Sequence, residues 1–459
     1  MTIPKRFTLR WEYFGGIVHD ARNMICHVLN EYQSKMFSRI LVEQMHSSYA
    51  TQAGISVREL EEEGFDPVDI KKYADMGVLE TTQDVVYASD NLRLVSLPIL
   101  PNHCLSAPIR IYDTYTRRCN LDCKQCYVSS RTDFPETRRT IEQTETIMRK
   151  FYEVGTMEWR FTGGEPTSCD DLLEAIAIAK GFGMAVMLNT NGCWNEAMME
   201  NIPEAGIDEI IISLEGSEEV NDRRRNPGVF RKIIRALDRI AQHNQDRPDR
   251  RIRVTLNMTV ARDNVSEVES VIRLGAGYGY NVNFVPLRPY GRTLTDLQGM
   301  MLSTEEFMRF SENVQRLRVD PEIRTSGIRI IHKNMDLFCS DYPDKSREPF
   351  PFNYSSCGAL STGFGLCSDG RVNACGFLMN DPELLGPSML DVSVSEAWLH
   401  PKMERIRRAK KVGCPQCRFY MNQCEGKCVA MVLANGGRIE AGKLLGRDPY
   451  CFGPLMPKA

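Results

Sequence analysis

The stretch Cys119-Asn120-Leu121-Asp122-Cys123-Lys124-Gln125-Cys126-Tyr127 sets three cysteines in the spacing C-x3-C-x2-C, directly after an apolar run at 109–115 that reads as a strand. With 16 cysteines in 459 residues, chance gives this spacing only about 0.02 times per chain. A loop so spaced can wrap three irons of a [4Fe–4S] cube, and such clusters are ordinarily held by four thiolates. Three protein ligands leave one iron open to another molecule. The alternative is a structural zinc knot, but that needs four ligands, and no Cys or His follows closely.

Downstream of the trio the chain alternates between strand and helix. Strands are expected at 109–115, 157–162, 184–189, 209–214, 252–260 and 282–286, with helices at 141–154, 171–181, 195–204, 229–243, 265–275 and 304–317. Six β–α steps imply an α/β fold with a parallel sheet and right-handed crossovers. The run is long enough for a partial (β/α)6 TIM-like barrel, in which chemistry belongs at the C-terminal strand ends. Cysteine density divides the rest. Residues 1–95 hold only Cys26, the barrel at 105–320 holds the trio and two scattered cysteines, and 335–459 holds nine. Linkers are expected at 98–108 and 342–352.

The N-terminal segment differs in kind. Short strands at 7–13, 16–19 and 24–29 precede a helix at 31–45, with Met36, Ile40, Leu41 and Met45 as its apolar face, and two short helices at 57–63 and 67–76. This makes a winged-helix-like module. Residues 1–90 carry 9 Lys/Arg against 14 Asp/Glu, which is the wrong sign for a DNA-binding face. Over the whole chain the net charge is −3, so neither nucleic acid nor an anionic membrane is favoured. No apolar run approaches the ~20 residues of a membrane span. Nor does one follow the basic residues at 1–10, so no signal peptide is expected. The expected location is the cytoplasm, where clustered thiols read as metal ligands rather than disulfides.

Other motifs fall at expected strand ends. They are Gly163-Gly164-Glu165-Pro166, Thr190-Asn191-Gly192, Ser213-Leu214-Glu215-Gly216, Arg225-Asn226-Pro227-Gly228 with Phe230, and Pro289-Tyr290-Gly291-Arg292. Together with the trio and Tyr127 they resemble the radical S-adenosylmethionine (SAM) superfamily. The resemblance implies a [4Fe–4S] cluster on Cys119, Cys123 and Cys126 whose open iron chelates SAM. Reduction then cleaves SAM to a 5′-deoxyadenosyl radical. It further implies SAM contacts from Tyr127 and the Gly163, Gly164 and Asn191 loops, an ammonium contact from Glu165, ribose contacts from Ser213 and Glu215, and a carboxylate contact from Arg225. Relatives often have Asp where this chain has Glu215, and Asn226 replaces a glycine. The bland reading of Arg225 is a solvated residue in the run 223–225.

The C-terminal cysteines resemble the SPASM extension of that superfamily, which holds two auxiliary iron–sulfur clusters. By resemblance Cys414, Cys417, Cys424 and Cys451 hold one. Cys357, Cys375 and Cys428 hold the other, with Cys367, Cys339 or no residue as its fourth ligand. A zinc ribbon through 414–428 is the alternative. Ser368-Asp369-Gly370-Arg371-Val372 reads as a hairpin turn. Residues 1–95 resemble a RiPP recognition element, the module that binds leader peptides of ribosomally made natural products by adding a strand to a sheet edge, here expected at 24–28. The resemblance as a whole implies oxidative modification, such as crosslinking, of a precursor peptide, with electrons from a flavodoxin- or ferredoxin-type donor. Gly376 stands where sulfatase maturases carry an acidic residue. A small-molecule enzyme such as a haem-pathway decarboxylase, and a non-catalytic cysteine-rich redox or zinc regulator, are the alternatives. No residue outside the SAM motifs is singled out as a catalytic base.

Overall fold

The structure is a computed structural model and describes residues 4–46, 54–82, 84–100, 104–297, 299–332, 358–411 and 428–451. Strands β1 (Phe7–Glu12), β2 (Gly15–Asp20) and β3 (Ile25–Leu29) form an antiparallel meander. The helix Glu31–His46 packs on it through Met36, Phe37 and Ile40. Met45, expected on that apolar face, is instead 75% exposed at the helix end. The helices Val57–Glu62 and Pro67–Asp75 follow, each opened by a side-chain cap, Ser56 and Asp66. Four short strands were not expected from the sequence. Of these, β4 (Ile55–Ser56), β5 (Leu79–Thr82) and β6 (Val85–Ala88) form a small antiparallel sheet, and β7 (Leu92–Val95) returns to pair parallel with β1. In the four-stranded sheet the order is β3-β2-β1-β7, so β3 is an edge.

The six strands expected downstream all form, within about a residue of the expected bounds: β8 (Arg110–Thr116), β9 (Glu158–Gly163), β10 (Ala185–Thr190), β11 (Glu209–Ser213), β12 (Arg253–Val260) and β13 (Asn281–Pro286). They pair parallel in chain order. The sheet has nine strands. At one end β14 (Ile330–His332) continues the parallel order, and at the other β15 (Gly363–Leu366) lies parallel to β8 and turns back into β16 (Val372–Asn373). Helices are started by the local sequence: Thr140 with Gln143 and Ser303 with Glu306 form capping boxes for Ile141–Glu153 and Thr304–Arg318.

Alternation along the strands decides which face is which. Trp159, Phe161, Val186, Leu188, Ile210, Ile212, Val254, Leu256, Val282 and Phe284 point into one apolar core with the covering helices. The intervening residues Arg160, Asn189, Ser213, Asn257 and Asn283 lie on the other face and are only half-buried. That polar face is the one a polar ligand can reach.

Two charged pairs seat the flanking segments on this sheet. Arg10 is fully buried, donating to Glu12 (2.7 Å), the Ala107 carbonyl (2.8 Å) and the Gly155 carbonyl (3.2 Å), while Glu12 accepts from the Ser106 N–H (2.8 Å). Arg139, also buried, pairs with Asp113 of β8 and donates to the Cys367 carbonyl (2.9 Å), fastening the β15–β16 hairpin. Such directional bonds fix register more than they add stability. No helix among the described residues is long and apolar enough to cross a membrane.

Candidate active site at the C-terminal strand ends

The loop leaving β8 carries the cysteine trio, and each thiol is met by an N–H donor. Asn191 Nδ2 lies 3.8 Å from Cys119 Sγ, Arg225 Nη1 3.8 Å from Cys123 Sγ, and the Ser130 N–H 3.3 Å from Cys126 Sγ. Burial, followed by the nearby Glu165 charge, pushes the Cys119 thiol up, and burial likewise raises Cys123 despite the opposing pull of Arg225. Thiols in that condition ionise against a bound metal's charge. Among the described residues only His19, Cys26 and Glu158 crowd their ligand atoms within 4.8 Å. The trio is spread wider than a single ion requires. Wide spacing, raised thiols and N–H donors aimed at sulfur all fit a multi-iron cluster, whose potential such hydrogen bonds tune.

The glycines of the next loop are required by close packing. A Cβ on Gly163 would lie 2.2 Å from the Thr116 carbonyl oxygen, and one on Gly164 1.9 Å from that of Arg118. The loop is thereby laid against the segment that leads into Cys119, joined by Gly164 N–H to Thr116 and Glu165 N–H to Arg118. Gly164→Ala is expected to cost about 3 kcal/mol or more, since backbone rather than a flexible side chain blocks the methyl. A fall in the thermal midpoint together with poor iron incorporation is the expected readout.

Glu165 is fully buried and its carboxylate is the knot between two loops. Oε1 accepts from Thr167 N–H (3.1 Å), Thr167 Oγ1 (2.6 Å) and Thr190 Oγ1 (2.8 Å), and Oε2 accepts from the Asn191 N–H (2.7 Å). Burial raises its pKa against these donors. The GGEP loop is thus tied to Thr190-Asn191-Gly192, which holds Asn191 toward Cys119. Asn120 adds a second tie, accepting from Asn191 Nδ2 at 2.7 Å.

Glu215 has the same role at the end of β11. Oε1 accepts from Gln125 (3.0 Å) and Arg225, and Oε2 from Arg224 (3.3 Å) and the Thr259 N–H (3.1 Å). Nothing in the run 223–225 separates Arg224 from its neighbours by sequence, yet it is 1% exposed, at the end of a short helix, Glu218–Arg224. Burial opposes the Arg225 charge, but Glu215 more than offsets it and raises its pKa. Asn226 has a task no glycine could perform: its Oδ1 accepts the Asp122 N–H (3.1 Å), while Lys124 N–H reaches the Arg224 carbonyl (2.9 Å). Ser213 lies half-buried on the polar sheet face.

The Pro289–Arg292 turn backs the cysteine loop. Gly291, at φ 58°, leaves room for the Cys126 and Tyr127 carbonyls, and Arg292 donates to Asp122 (2.7 Å) and the Ser130 carbonyl (2.8 Å). Tyr127 packs tilted on Phe377 at 4.4 Å between ring centroids, and its hydroxyl lies close to Gly376. The polar face nearby has unspent capacity: Gln125 Oε1, Asn189 Oδ1, Arg225 Nε and Asn283 Oδ1 are buried without a hydrogen-bond partner among the described residues. Such orphans fit a zwitterionic, ribose-bearing ligand.

Of the C-terminal cysteines, Cys375 precedes a short turn, Gly376–Leu378. Cys428 and Cys451 are brought together by Asp448, whose carboxylate accepts the Cys428 N–H (3.1 Å) and whose carbonyl accepts that of Cys451 (3.1 Å). Tyr290 donates to the Ala430 carbonyl (2.6 Å), joining this region to the turn behind the trio. Cys367 is buried with Val128, Met379 and Leu385 and accepts from Asn373 (3.2 Å), and burial pushes its thiol up to about 11. Cys339, Cys357, Cys414, Cys417 and Cys424 lie outside the described residues.

Residues 114–275, from β8 into the helix Val268–Tyr278, match the family model of the Radical SAM superfamily. The chain carries a radical SAM domain. It is an enzyme of radical chemistry, and the domain implies a [4Fe–4S] cluster and SAM at the site just described. The mycofactocin maturase MftC of Mycolicibacterium smegmatis is 28% identical over 76% of this chain and 83% of its own length. The AdoMet-dependent heme synthase of Oleidesulfovibrio alaskensis is 26% identical over 73% and 85%. In fold, the radical SAM chain resembles Streptococcus suis SuiB, solved bound to its precursor peptide SuiA, with a TM-score of 0.67 at 16% identity over 94% of this chain and 96% of that one.

Proposed function

We propose that this radical SAM enzyme oxidatively modifies a ribosomally made precursor peptide. When bound at the trio, the cluster and SAM would supply a 5′-deoxyadenosyl radical able to take a hydrogen atom from the substrate. Cys119, Cys123 and Cys126 hold the cluster, and the N–H donors beside them stabilise the thiolates. Arg225, fixed by Glu215, meets the SAM carboxylate. Glu165 has one oxygen, Oε2, with a single donor among the described residues, and that oxygen is the acceptor for the SAM ammonium. Ser213 and Asn189 serve the ribose side of the polar face. A SPASM-type extension holds two auxiliary clusters on Cys414, Cys417, Cys424 and Cys451 and on Cys357, Cys375 and Cys428. Bound there, those clusters would supply an acceptor for the electron that a substrate radical loses on oxidation. A flavodoxin- or ferredoxin-type donor supplies the reducing electron.

The observation that carries the peptide reading is the N-terminal sheet. Among the described residues its strand order leaves β3 at an edge, with Ile25 48% exposed, and an edge strand is a template for an added strand. The SuiB likeness spans this region, and that protein binds a precursor peptide. The test is anaerobic incubation with SAM, reductant and a short peptide encoded beside the gene, where a loss of about 2 Da marks oxidative crosslinking. Deleting residues 1–95 is a poor control, because it would strip the Arg10 and Glu12 contacts from the barrel. Proline at His27 and at Val28 is better. Successive N–H groups point to opposite sides of a strand, so one variant removes an outward donor and the other an internal one. The outward variant is expected to weaken precursor binding about tenfold and to leave 5′-deoxyadenosine formation without peptide unchanged.

The heme synthase relatives favour a second reading, decarboxylation of a tetrapyrrole. Turnover of an iron porphyrin substrate with release of CO2, and no change in any peptide, would select it.

A further inference from the structure

Beyond the iron–sulfur chemistry, a separate cluster of metal donors sits where the N-terminal sheet meets the large one. His19 of β2 and Cys26 of β3 are directly opposite cross-strand partners. Glu158 opens β9 of the large sheet. The three ligand atoms lie within 4.8 Å of one another, with His19 and Glu158 buried and Cys26 half-buried. We infer that His19 Nε2, Cys26 Sγ and a Glu158 carboxylate oxygen bind one zinc ion that joins the two sheets.

The donor set is one nitrogen, one sulfur and one oxygen. That mixture suits zinc and not the oxygen-preferring magnesium or calcium. His19 Nε2 and Glu158 Oε1 are 3.3 Å apart. This is the edge of a tetrahedron whose metal–ligand bonds are about 2.0–2.2 Å. The other Glu158 oxygen is paired with Arg110. An outer partner of that kind orients a ligating carboxylate, and at Oε1 the metal would replace the hydrogen bond from His19. Binding releases the Cys26 thiol proton to solvent and requires His19 Nε2, which donates to Glu158 in the metal-free site, to pass its proton to Nδ1 or to solvent as well; the half-buried Cys26 side leaves the fourth position to water. The site uses none of the cysteines assigned to clusters and does not depend on which substrate the enzyme takes.

The test uses the full chain with its iron–sulfur clusters reconstituted. One equivalent of zinc sulfate is added, the protein is desalted, and zinc and iron are counted by mass spectrometry, with zinc X-ray absorption for the ligand set. The expected result is one zinc per chain bound by one sulfur and two or three nitrogen or oxygen atoms. Cys26→Ser and His19→Gln should each lower zinc affinity at least tenfold, with iron content unchanged. His19→Gln keeps a hydrogen-bond donor for Glu158, so it is the variant less exposed to misfolding. No retained zinc, equal retention by both variants, or an all-sulfur shell would overturn the inference.

Discussion

Alanine in place of Cys123 is expected to abolish 5′-deoxyadenosine formation and to lower the iron content by about four per chain. On the proposed ligand set the thiol is one of three, so its loss would leave two irons of the cube unheld. The nearby carboxylate of Glu215 is not available in its place, since it already accepts from Gln125, Arg225, Arg224 and the Thr259 N–H. Cys119→Ala and Cys126→Ala should behave alike, each also stranding its own N–H donor. Iron assay and chromatography of the nucleoside after anaerobic reduction read both quantities. Fold loss is separable through Cys119→Ala and Cys126→Ala, because both residues are half-buried and sit at the margin of the core rather than within it.

Glu215→Ala is the second large effect. The change leaves Arg224 and Arg225, both nearly fully buried, without their shared carboxylate. Breaking a buried pair by removing one member costs about 3–5 kcal/mol. Arg225 also loses the anchor that points it at Cys123. SAM affinity is therefore expected to fall by more than about tenfold, and the thermal midpoint to drop. Glu215→Gln keeps the shape and one acceptor oxygen, so it should lie between the two. Equilibrium dialysis with SAM on reconstituted protein, beside thermal unfolding, separates the binding loss from the stability loss.

Much of the large parallel sheet was legible because its pattern is local. Strands such as 209–214 are continuous apolar runs, and their helices open with caps written in the sequence, as at Thr140 and Ser303. What escaped is non-local or short. β15 takes its place beside β8 across most of the chain, a pairing no local pattern encodes. β7 and the β5–β6 hairpin are only four residues per strand, too brief for alternation to register. Arg10 sits in a strand where a charged residue reads as solvent-facing, yet it is buried beneath the carbonyls of Ala107 and Gly155.

The site was legible in its motifs and not in its wiring. The loops at 163–166, 190–192 and 213–216 do gather at one end of the sheet with the trio. Their acidic residues, however, are occupied chiefly by the protein itself: Glu165 by Thr167, Thr190 and Asn191, and Glu215 by two arginines, Gln125 and Thr259. A motif identifies which residues meet and cannot say how many hydrogen bonds each has left. Asn226, a departure from the family pattern, proved to be a strut for the cysteine loop rather than a defect in the arginine stretch.

Mössbauer spectroscopy of 57Fe-reconstituted protein, with and without SAM, tests most directly whether the trio leaves an iron free for a ligand. One iron whose isomer shift moves on adding SAM, absent from Cys123→Ala, is the predicted outcome. Spectra in which every iron is already thiolate-bound and indifferent to SAM would contradict it.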